Sequence, residues 1–375
     1  MKELTISINI MVYNEERCIE RCINSVINLA DEIIIVDTGS TDKTIDIIKH
    51  MNCSKIKLYS HKWENDFSKI RNLMIEYSTK DIIFQIDADE YLDILSENKN
   101  IIYKNINSSE VLSPKIIDYY DTEYIGELGR IFLNNGKYTY YGKIHEELRY
   151  NNKKIATKKI NLPIYHDGYL KEVVNKKEKG QRNIKLSEEM TLIEPSNCRW
   201  DFYLIKDLFN YSKDISKIIV KTDSFIEKYN KNLYTIHNST MLEIVIYIRT
   251  FCIINNNLDI PYDIDLLIDK YKGNTDFIFL KLLKIKKQIS DIEHEVNKIT
   301  SDIYSINNKY SYFNSKNNHV LWLVSELLLN LKQYKKFMIV SNNISGKLKK
   351  EFYKNLFTDI SSIYNFLKGE VNYEK

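Results

Sequence analysis

Short β-branched runs alternate with amphipathic segments from the start of the chain to about Trp200. Ser7 to Val12 reads as a strand, and Glu15 to Leu29 carries Ile19, Cys22, Ile23, Val26 and Ile27 at helical spacing. Glu32 leads a continuous apolar run to Val36, the composition of a strand buried on both faces of a parallel sheet. The turn Asp37-Thr38-Gly39-Ser40-Thr41-Asp42 opens a second helix through Ile45, Ile48 and Met51, with Ser40, Thr41 or Asp42 as its N-cap. Ile56 to Tyr59 predicts a third strand, Phe67 to Tyr77 a third helix, and Ile82 to Ile86 a fourth strand that stops at Asp87-Ala88-Asp89. Seven of the ten glycines fall between Gly39 and Gly180, the punctuation of an α/β fold. The predicted order is β-α-β-α-β-α-β. Right-handed crossovers then put helices on both faces and the strand C-termini along one ligand-binding edge.

Beyond Trp200 the texture changes: Gly and Pro become rare, and Leu, Ile, Lys, Asn and Tyr recur at helical period. Phe202–Tyr211, Ile215–Tyr229, Met241–Ile254, Asp276–Ile289, Val320–Leu331 and Glu351–Leu367 predict stacked helix pairs, without a clean fixed-period repeat. The expected division is an α/β domain over residues 1–200 and an all-α domain over 201–375, joined between Pro195 and Arg199.

Composition excludes several classes. Hydrophobic residues at 43% and charged residues at 28% are those of an ordinary folded chain. The net charge of +3 is a small difference between 54 basic and 51 acidic groups, so no nucleic-acid-coating surface is expected. Cys18, Cys22, Cys53, Cys198 and Cys252 form no CxxC and fit a reduced compartment, and the N-terminal residues lack the apolar core of a signal peptide. The expected location is the cytoplasm. Met241–Ile254 includes Glu243 and Arg249 and is shorter than the ~20 apolar residues of a membrane span, so it reads as a buried helix and no transmembrane segment is expected.

The chemistry gathers at the strand ends. Asp87 and Asp89 both leave a strand on the ligand edge with Ala88 between them, which suits a hard divalent ion such as Mg²⁺ or Mn²⁺ bridging a nucleotide diphosphate. Asp37 also ends a strand, where its carboxylate can take the N3 proton of uracil or simply stabilise the turn. Asp66, Ser68 and Arg71 precede the strand that leads to Asp87, and Arg71 reads either as part of this site or as a surface ion pair. Gly142-Lys143-Ile144-His145-Glu146-Glu147 and Tyr165-His166-Asp167-Gly168-Tyr169 supply two histidines and a carboxylate. Glu146 first, His145 second, can take the proton of an attacking acceptor, and His166 can complete the metal site or hydrogen-bond a loop. Arg130 reads as a phosphate or donor-sugar contact or as a structural ion pair.

Four motifs in order, Val12-Tyr13-Asn14-Glu15, Val36 to Asp42, Asn65-Asp66-Phe67-Ser68 through Arg71-Asn72, and Asp87-Ala88-Asp89, resemble the inverting family 2 glycosyltransferases of the GT-A fold. The resemblance implies a GT-A, Rossmann-like nucleotide-sugar domain with a UDP-sugar contacted by Tyr13, Asn14, Glu15, Asp37, Ser40, Arg71, Asp87, Ala88, Asp89 and Arg130. Uracil would sit at Asp37 and Arg71, ribose near Asp87, and the metal-bound diphosphate at Asp89 and His166. The Gly142–Glu147 and Tyr165–Tyr169 segments, with Arg182-Asn183-Ile184-Lys185-Leu186-Ser187-Glu188-Glu189-Met190 before Glu194-Pro195, are similar to the glycosyltransferases that modify bacteriocins of the sublancin (glycocin) type. That similarity implies hexose transfer, glucose above all, from a UDP-sugar such as UDP-glucose to Cys or Ser of a bacteriocin precursor peptide, followed in the chain by tetratricopeptide-like helices for acceptor binding or dimerisation. A homodimer through the family's helical N-terminal extension does not transfer to a sequence that begins almost at its first strand, although dimerisation by other surfaces stays open.

Two other functions share some of these features. The same sheet motifs serve transferases that build a cell-envelope glycan or lipopolysaccharide core. A decayed, non-catalytic scaffold is the third reading, and intact Asp87, Asp89, His145, Glu146 and His166 argue against it.

Overall fold

A computed structural model describes residues 4–93, 98–107, 110–118, 123–124, 129–166, 176–236, 238–256, 258, 263–287, 292–305, 311, 317–345, 348–351 and 354. The opening elements are β1 (Ile6–Val12), α1 (Ile19–Val26), β2 (Glu32–Asp37), α2 (Thr44–His50), β3 (Ile56–Ser60), α3 (Phe67–Tyr77) and β4 (Ile82–Asp87). They follow the expected order. Next come β5 (Glu90–Leu92), α4 (Asn98–Asn105), β6 (Val111–Asp118), β7 (Glu123–Tyr124), β8 (Ile131–Leu133), β9 (Tyr138–Tyr141), β10 (Glu147–Tyr150), β11 (Lys153–Lys154) and β12 (Thr157–His166). The main sheet runs β3-β2-β1-β4-β8-β6-β12-β5, with β7 on β6, and a separate three-stranded sheet runs β11-β10-β9. β3, β2, β1 and β4 are mutually parallel, whereas β8 runs antiparallel to β4 and β6, and β5 antiparallel to β12.

Strand alternation sends two sets of side chains to opposite faces. Ile6, Ile8, Ile10 and Val12 of β1 join Ile33, Ile35, Ile82, Phe84 and Ile86 in one core, covered by Ile19, Ile23 and Val26 of α1, Ile48 of α2 and Ile102 of α4. The other face holds Ile34 and Val36 with Ile70 and Met74 of α3. Helices therefore cover both faces, and β2 is buried along its whole length. On the α3 side, Ser7 Oγ donates to Glu32 Oε1 at 2.6 Å and Asn9 Oδ1 accepts from Ser78 Oγ at 3.0 Å, while the buried Asn9 Nδ2 has no partner among the described residues.

Two local expectations shift. The first helix begins at Ile19 and not at Glu15, because Asn14 is left-handed at φ 56° and Glu15 O takes the amides of Cys18 and Ile19 in a tight turn. The residue capping α2 is Lys43. Asp42 still does capping work from one position earlier, since its Oδ1 accepts the Thr44 N–H at 3.0 Å.

The rest of the described chain is helical: α5 (Lys176–Ile193), α6 (Cys198–Tyr211), α7 (Ile215–Asn230), α8 (Ser239–Asn255), α9 (Ile264–Lys270), α10 (Thr275–Lys287), α11 (Ile292–Ser305), α12 (Asn318–Asn330) and α13 (Tyr334–Asn342). The helix expected over Glu351–Leu367 lies almost wholly outside the described residues. One compact unit extends to Val245 and a second begins at Ile246, so α5, α6 and α7 belong to the unit that holds the sheet. The second unit has its own core, built on Leu282, Val296, Val320, Val324 and Leu328. α8 buries Val245, Ile248, Cys252 and Ile253, and no helix among the described residues is long and apolar enough to cross a membrane. All five cysteines are free.

Candidate active site at the strand ends

Register brings the strand-end residues to one edge. Val12 pairs with Asp37 across β1–β2, and Met11 pairs with Asp87 across β1–β4, so both aspartates leave the sheet beside the segment Tyr13–Glu15. Both Asp37 oxygens are oriented by its own turn, Oδ2 by the Gly39 N–H at 3.1 Å and Oδ1 by the Ser40 N–H at 3.0 Å. Gly39 sits at φ 114°, which a side chain would strain. Ser40 Oγ in turn accepts the Asn14 N–H at 2.9 Å, and Asn14 Oδ1 accepts the Thr41 N–H at 2.7 Å, which locks the ends of β1 and β2 together. Tyr13 remains 56% exposed above them.

Asp66 is the N-cap of α3, accepting the Lys69 N–H at 3.1 Å and the Ser68 hydroxyl at 2.7 Å. The helix it starts carries Arg71 and Asn72. Asn72 brackets Tyr140, donating to its carbonyl at 2.9 Å and accepting its N–H at 2.7 Å, while the Phe67 N–H donates to Lys143 O at 2.9 Å. Those bonds bring the Gly142–Glu147 segment over the sheet edge, where Arg71 meets it.

The centre is a buried ion network. Arg71 donates through Nε to Glu146 Oε1 and through Nη2 to Asp87 Oδ1 at 2.9 Å. Arg130 Nη2 reaches Asp87 Oδ2 and Glu90 Oε1, each at 2.9 Å, and Glu90 Oε2 accepts the Asp87 N–H at 2.8 Å. Burial alone would raise the Asp87 carboxyl, but the Arg130 and Arg71 guanidiniums hold it well below the usual carboxylate range. For Glu90 burial wins and pushes the carboxyl up against the pull of Arg130. Arg130 is 7% exposed, and its Nη1 has no hydrogen-bond partner among the described residues. Arg71 on α3 and Arg130 just ahead of β8 are therefore buried ion-pair residues and not surface ones; they fix the carboxylates at the strand ends.

Ala88 is buried between its two aspartates. The pairing of β12 with β5 sets His166 opposite Glu90, and this places its Nε2 3.2 Å from Asp89 Oδ2. Burial would lower the His166 imidazole, yet the Asp89 carboxylate overrides it and keeps it above its ordinary value. Two ligands at right angles on an ion with ~2.1 Å bonds stand about 3 Å apart, so this oxygen and nitrogen fit neighbouring positions around a Mg²⁺- or Mn²⁺-sized ion. Among the described residues no third His, Cys, Asp or Glu completes a cluster, and water and phosphate oxygens would have to fill the remaining positions. Glu15 lies close enough to feel the Asp89 charge; burial first, and that charge as well, raise its carboxyl, which accepts the Cys18 thiol at 3.1 Å. Asp167, Gly168 and Tyr169 lie outside the described residues.

The family model "Glycosyl transferase family 2" matches residues 7–95, from the second residue of β1 past the end of β5, and with them Asp37, Arg71, Asp87 and Asp89. Across 97% of its length the chain is 32% identical to the SPbeta prophage-derived glycosyltransferase SunS of Bacillus subtilis (strain 168), of which it covers 86%. The chain is a family 2 glycosyltransferase. A shorter match, 36% identical over 112 residues, links 30% of it to 37% of an uncharacterized glycosyltransferase of Rickettsia bellii. Among solved structures, S. aureus TarS 1-349 in complex with UDP-GlcNAc shares 16% identity, with a TM-score of 0.41 over 70% of this chain and 94% of that one. The fold of the glycosyltransferase is the GT-A-like α/β domain with a helical C-terminal region.

Several supporting residues had no signal in the sequence. Glu90 directly follows the Asp87-Ala88-Asp89 motif and went unread, and Tyr140, whose ring lies 5.5 Å below the Arg71 guanidinium, carries no motif at all. His145 does not join the ion network: its Nε2 is 2.9 Å from Asp207 Oδ2 and its ring stacks on Tyr203 at 4.1 Å. Gly142, at φ 109°, lies under Trp200, and an added Cβ would come within 2.5 Å of the indole Cη2. Gly142→Ala is expected to cost about 1–3 kcal/mol from overpacking and left-handed strain, read as a lower denaturant midpoint. An unchanged midpoint would mean that the Trp200 ring yields.

Proposed function

We propose that this glycosyltransferase moves a hexose, glucose first among the candidates, from a UDP-sugar to Cys or Ser side chains of a ribosomal bacteriocin (glycocin) precursor peptide, with inversion. The observation that carries the reading is the similarity to SunS across nearly the whole chain, far beyond the shared nucleotide-sugar motifs. The side-chain geometry supports it. Asp37, fixed by its own turn, presents a carboxylate for the uracil N3–H. Arg130 has a buried, unsatisfied Nη1 to offer a phosphate or the donor sugar. A divalent ion held by Asp89 and His166 would neutralise the charge of the departing diphosphate.

Glu146 spends Oε1 on Arg71, and its other oxygen can accept the acceptor's proton as the nucleophile attacks the anomeric carbon from the face opposite the leaving group. The bond to UDP breaks as the new bond forms, which inverts the configuration in one displacement. A thiol acceptor would need less help than a hydroxyl, because cysteine ionises near ~8.5 and serine far higher. We assign the helical residues 201–375 to holding the peptide.

The test is intact-mass spectrometry of a synthetic Cys- and Ser-containing glycocin precursor peptide incubated with the protein, UDP-glucose and Mn²⁺. A hexose-mass gain, with fragmentation locating the modified side chain, is the expected result. UDP release without any gain on the peptide would redirect the acceptor to an envelope glycan.

A further inference from the structure

The turn that carries Glu146 is held from behind by the α5–α6 hairpin. His145 occupies the left-handed region at φ 51°, where a non-glycine residue persists only if its surroundings enforce it. Three contacts do so. Asp207 Oδ2 takes the His145 Nε2 at 2.9 Å, the Tyr203 ring lies parallel to the imidazole at 9°, and Arg199 Nη2 donates to the His145 carbonyl at 2.7 Å. Asp207 is itself 3% exposed, and its second donor is the Ser187 hydroxyl at 2.6 Å. Among the described residues no Lys or Arg pairs with it. One oxygen of this buried carboxylate, Oδ2, takes both the imidazole and the Ser187 hydroxyl, so the imidazole is held by a group that is itself held from behind. A glycine at position 145 would take the same backbone shape but give Asp207 and Tyr203 no side chain to hold, so the histidine fixes a turn that a glycine would leave free.

We propose that Asp207 is a positioning residue for sugar transfer: through the His145 imidazole it fixes the turn from which Glu146 reaches the acceptor. The proposal rests on the reading of Glu146 as the acceptor's base. Asp207 is buried behind the turn and acts through His145, so its effect is on kcat alone. The Glu146 carboxylate is gripped on one side by Arg71, and the backbone that delivers it is gripped on the other by Asp207. Loss of the second grip lets the carboxylate swing on the first.

Steady-state kinetics of the full chain with UDP-glucose and a synthetic Cys-containing glycocin core peptide, for Asp207→Ala, Asp207→Asn, Glu146→Gln and the Glu146→Gln/Asp207→Ala pair, test it. Asp207→Ala is expected to lower kcat about tenfold to a hundredfold with the UDP-glucose KM unchanged, as misplacement of a reacting group does. Asp207→Asn, which keeps an acceptor oxygen for His145, loses less. Added to Glu146→Gln, the Asp207→Ala change costs nothing further. An unchanged kcat in Asp207→Ala, or a full multiplicative loss in the pair, overturns the proposal. Full activity in Glu146→Gln alone overturns the base reading, and the route through Glu146 with it. Amide hydrogen exchange reads the same grip without any acceptor: Asp207→Ala should speed exchange in residues 142–149 while β1 to β4 keep their protection, and unchanged exchange there overturns the proposal independently of turnover.

Discussion

Arg71→Ala is expected to abolish transfer and to destabilise the protein by about 3–5 kcal/mol, because removing one partner of a buried ionic network leaves charge uncompensated. The side chain is 11% exposed and joins α3 to both Asp87 and Glu146. Asp87 would keep Arg130, so the carboxylate stranded by the change is Glu146, which makes the lower end of that range the better expectation. Arg71→Lys should fall between wild type and alanine, since an ammonium cannot offer the separate Nε and Nη2 donors that now serve two carboxylates at once. Urea unfolding followed by circular dichroism checks the stability, and UDP release the activity. Equal midpoints for Arg71→Ala and wild type would mean that the network does not hold the site together.

Asp89→Ala is expected to do the opposite to stability while costing at least about 10²-fold in kcat/KM, the scale of losing a charge-stabilising group at a reacting centre. Asp89 shares one contact with His166 and is partly exposed, so little packing is lost. Its charge favours the His166 imidazolium but works against its acidic neighbours, adding to the upward push on Glu15 and Glu90. Removing it relieves that repulsion, and the unfolding midpoint should stay level or rise. Loss of activity at retained or increased stability is the mark of a residue kept for chemistry and not for folding. A variant that instead unfolds more easily would place Asp89 among the structural carboxylates.

The parallel half of the sheet was legible because its strands are apolar on both faces and end in motifs. Ile33 to Val36 leaves no other assignment, and the carboxylates at positions 37 and 87 mark where the strands stop. The antiparallel half was not. β5 and β8 are three residues each, too brief for a period to show, and they are held by pairing with strands far away in sequence. His166 could be nominated from its glycine-flanked setting, but only the β12–β5 register puts it beside Asp89. The helical texture past Trp200 was equally plain, yet it hid a division of labour. Asp207 lies on α6, which reads as an ordinary helical segment, and Ser187 on α5, in a stretch legible only as a motif; the contact of Asp207 with His145 spans 62 residues, and that of Ser187 with Asp207 joins two helices. Such contacts depend on tertiary packing that no local period encodes. Glu146 stands out for its chemistry, while what brings its segment to Arg71, the Asn72 side chain bracketing the Tyr140 backbone, is a pair of bonds invisible in composition.

The strand-end edge bearing Asp37, Arg71, Asp87 and Asp89 is expected to hold the nucleotide of the donor. Isothermal titration of UDP into the protein, with Mn²⁺ and then with EDTA, and the same titration of Asp89→Ala, measures it. Wild type should bind UDP more tightly with Mn²⁺, and Asp89→Ala should bind it more weakly and with no response to Mn²⁺. No binding of UDP to the wild-type protein in Mn²⁺, or equal affinity in the variant, would contradict it.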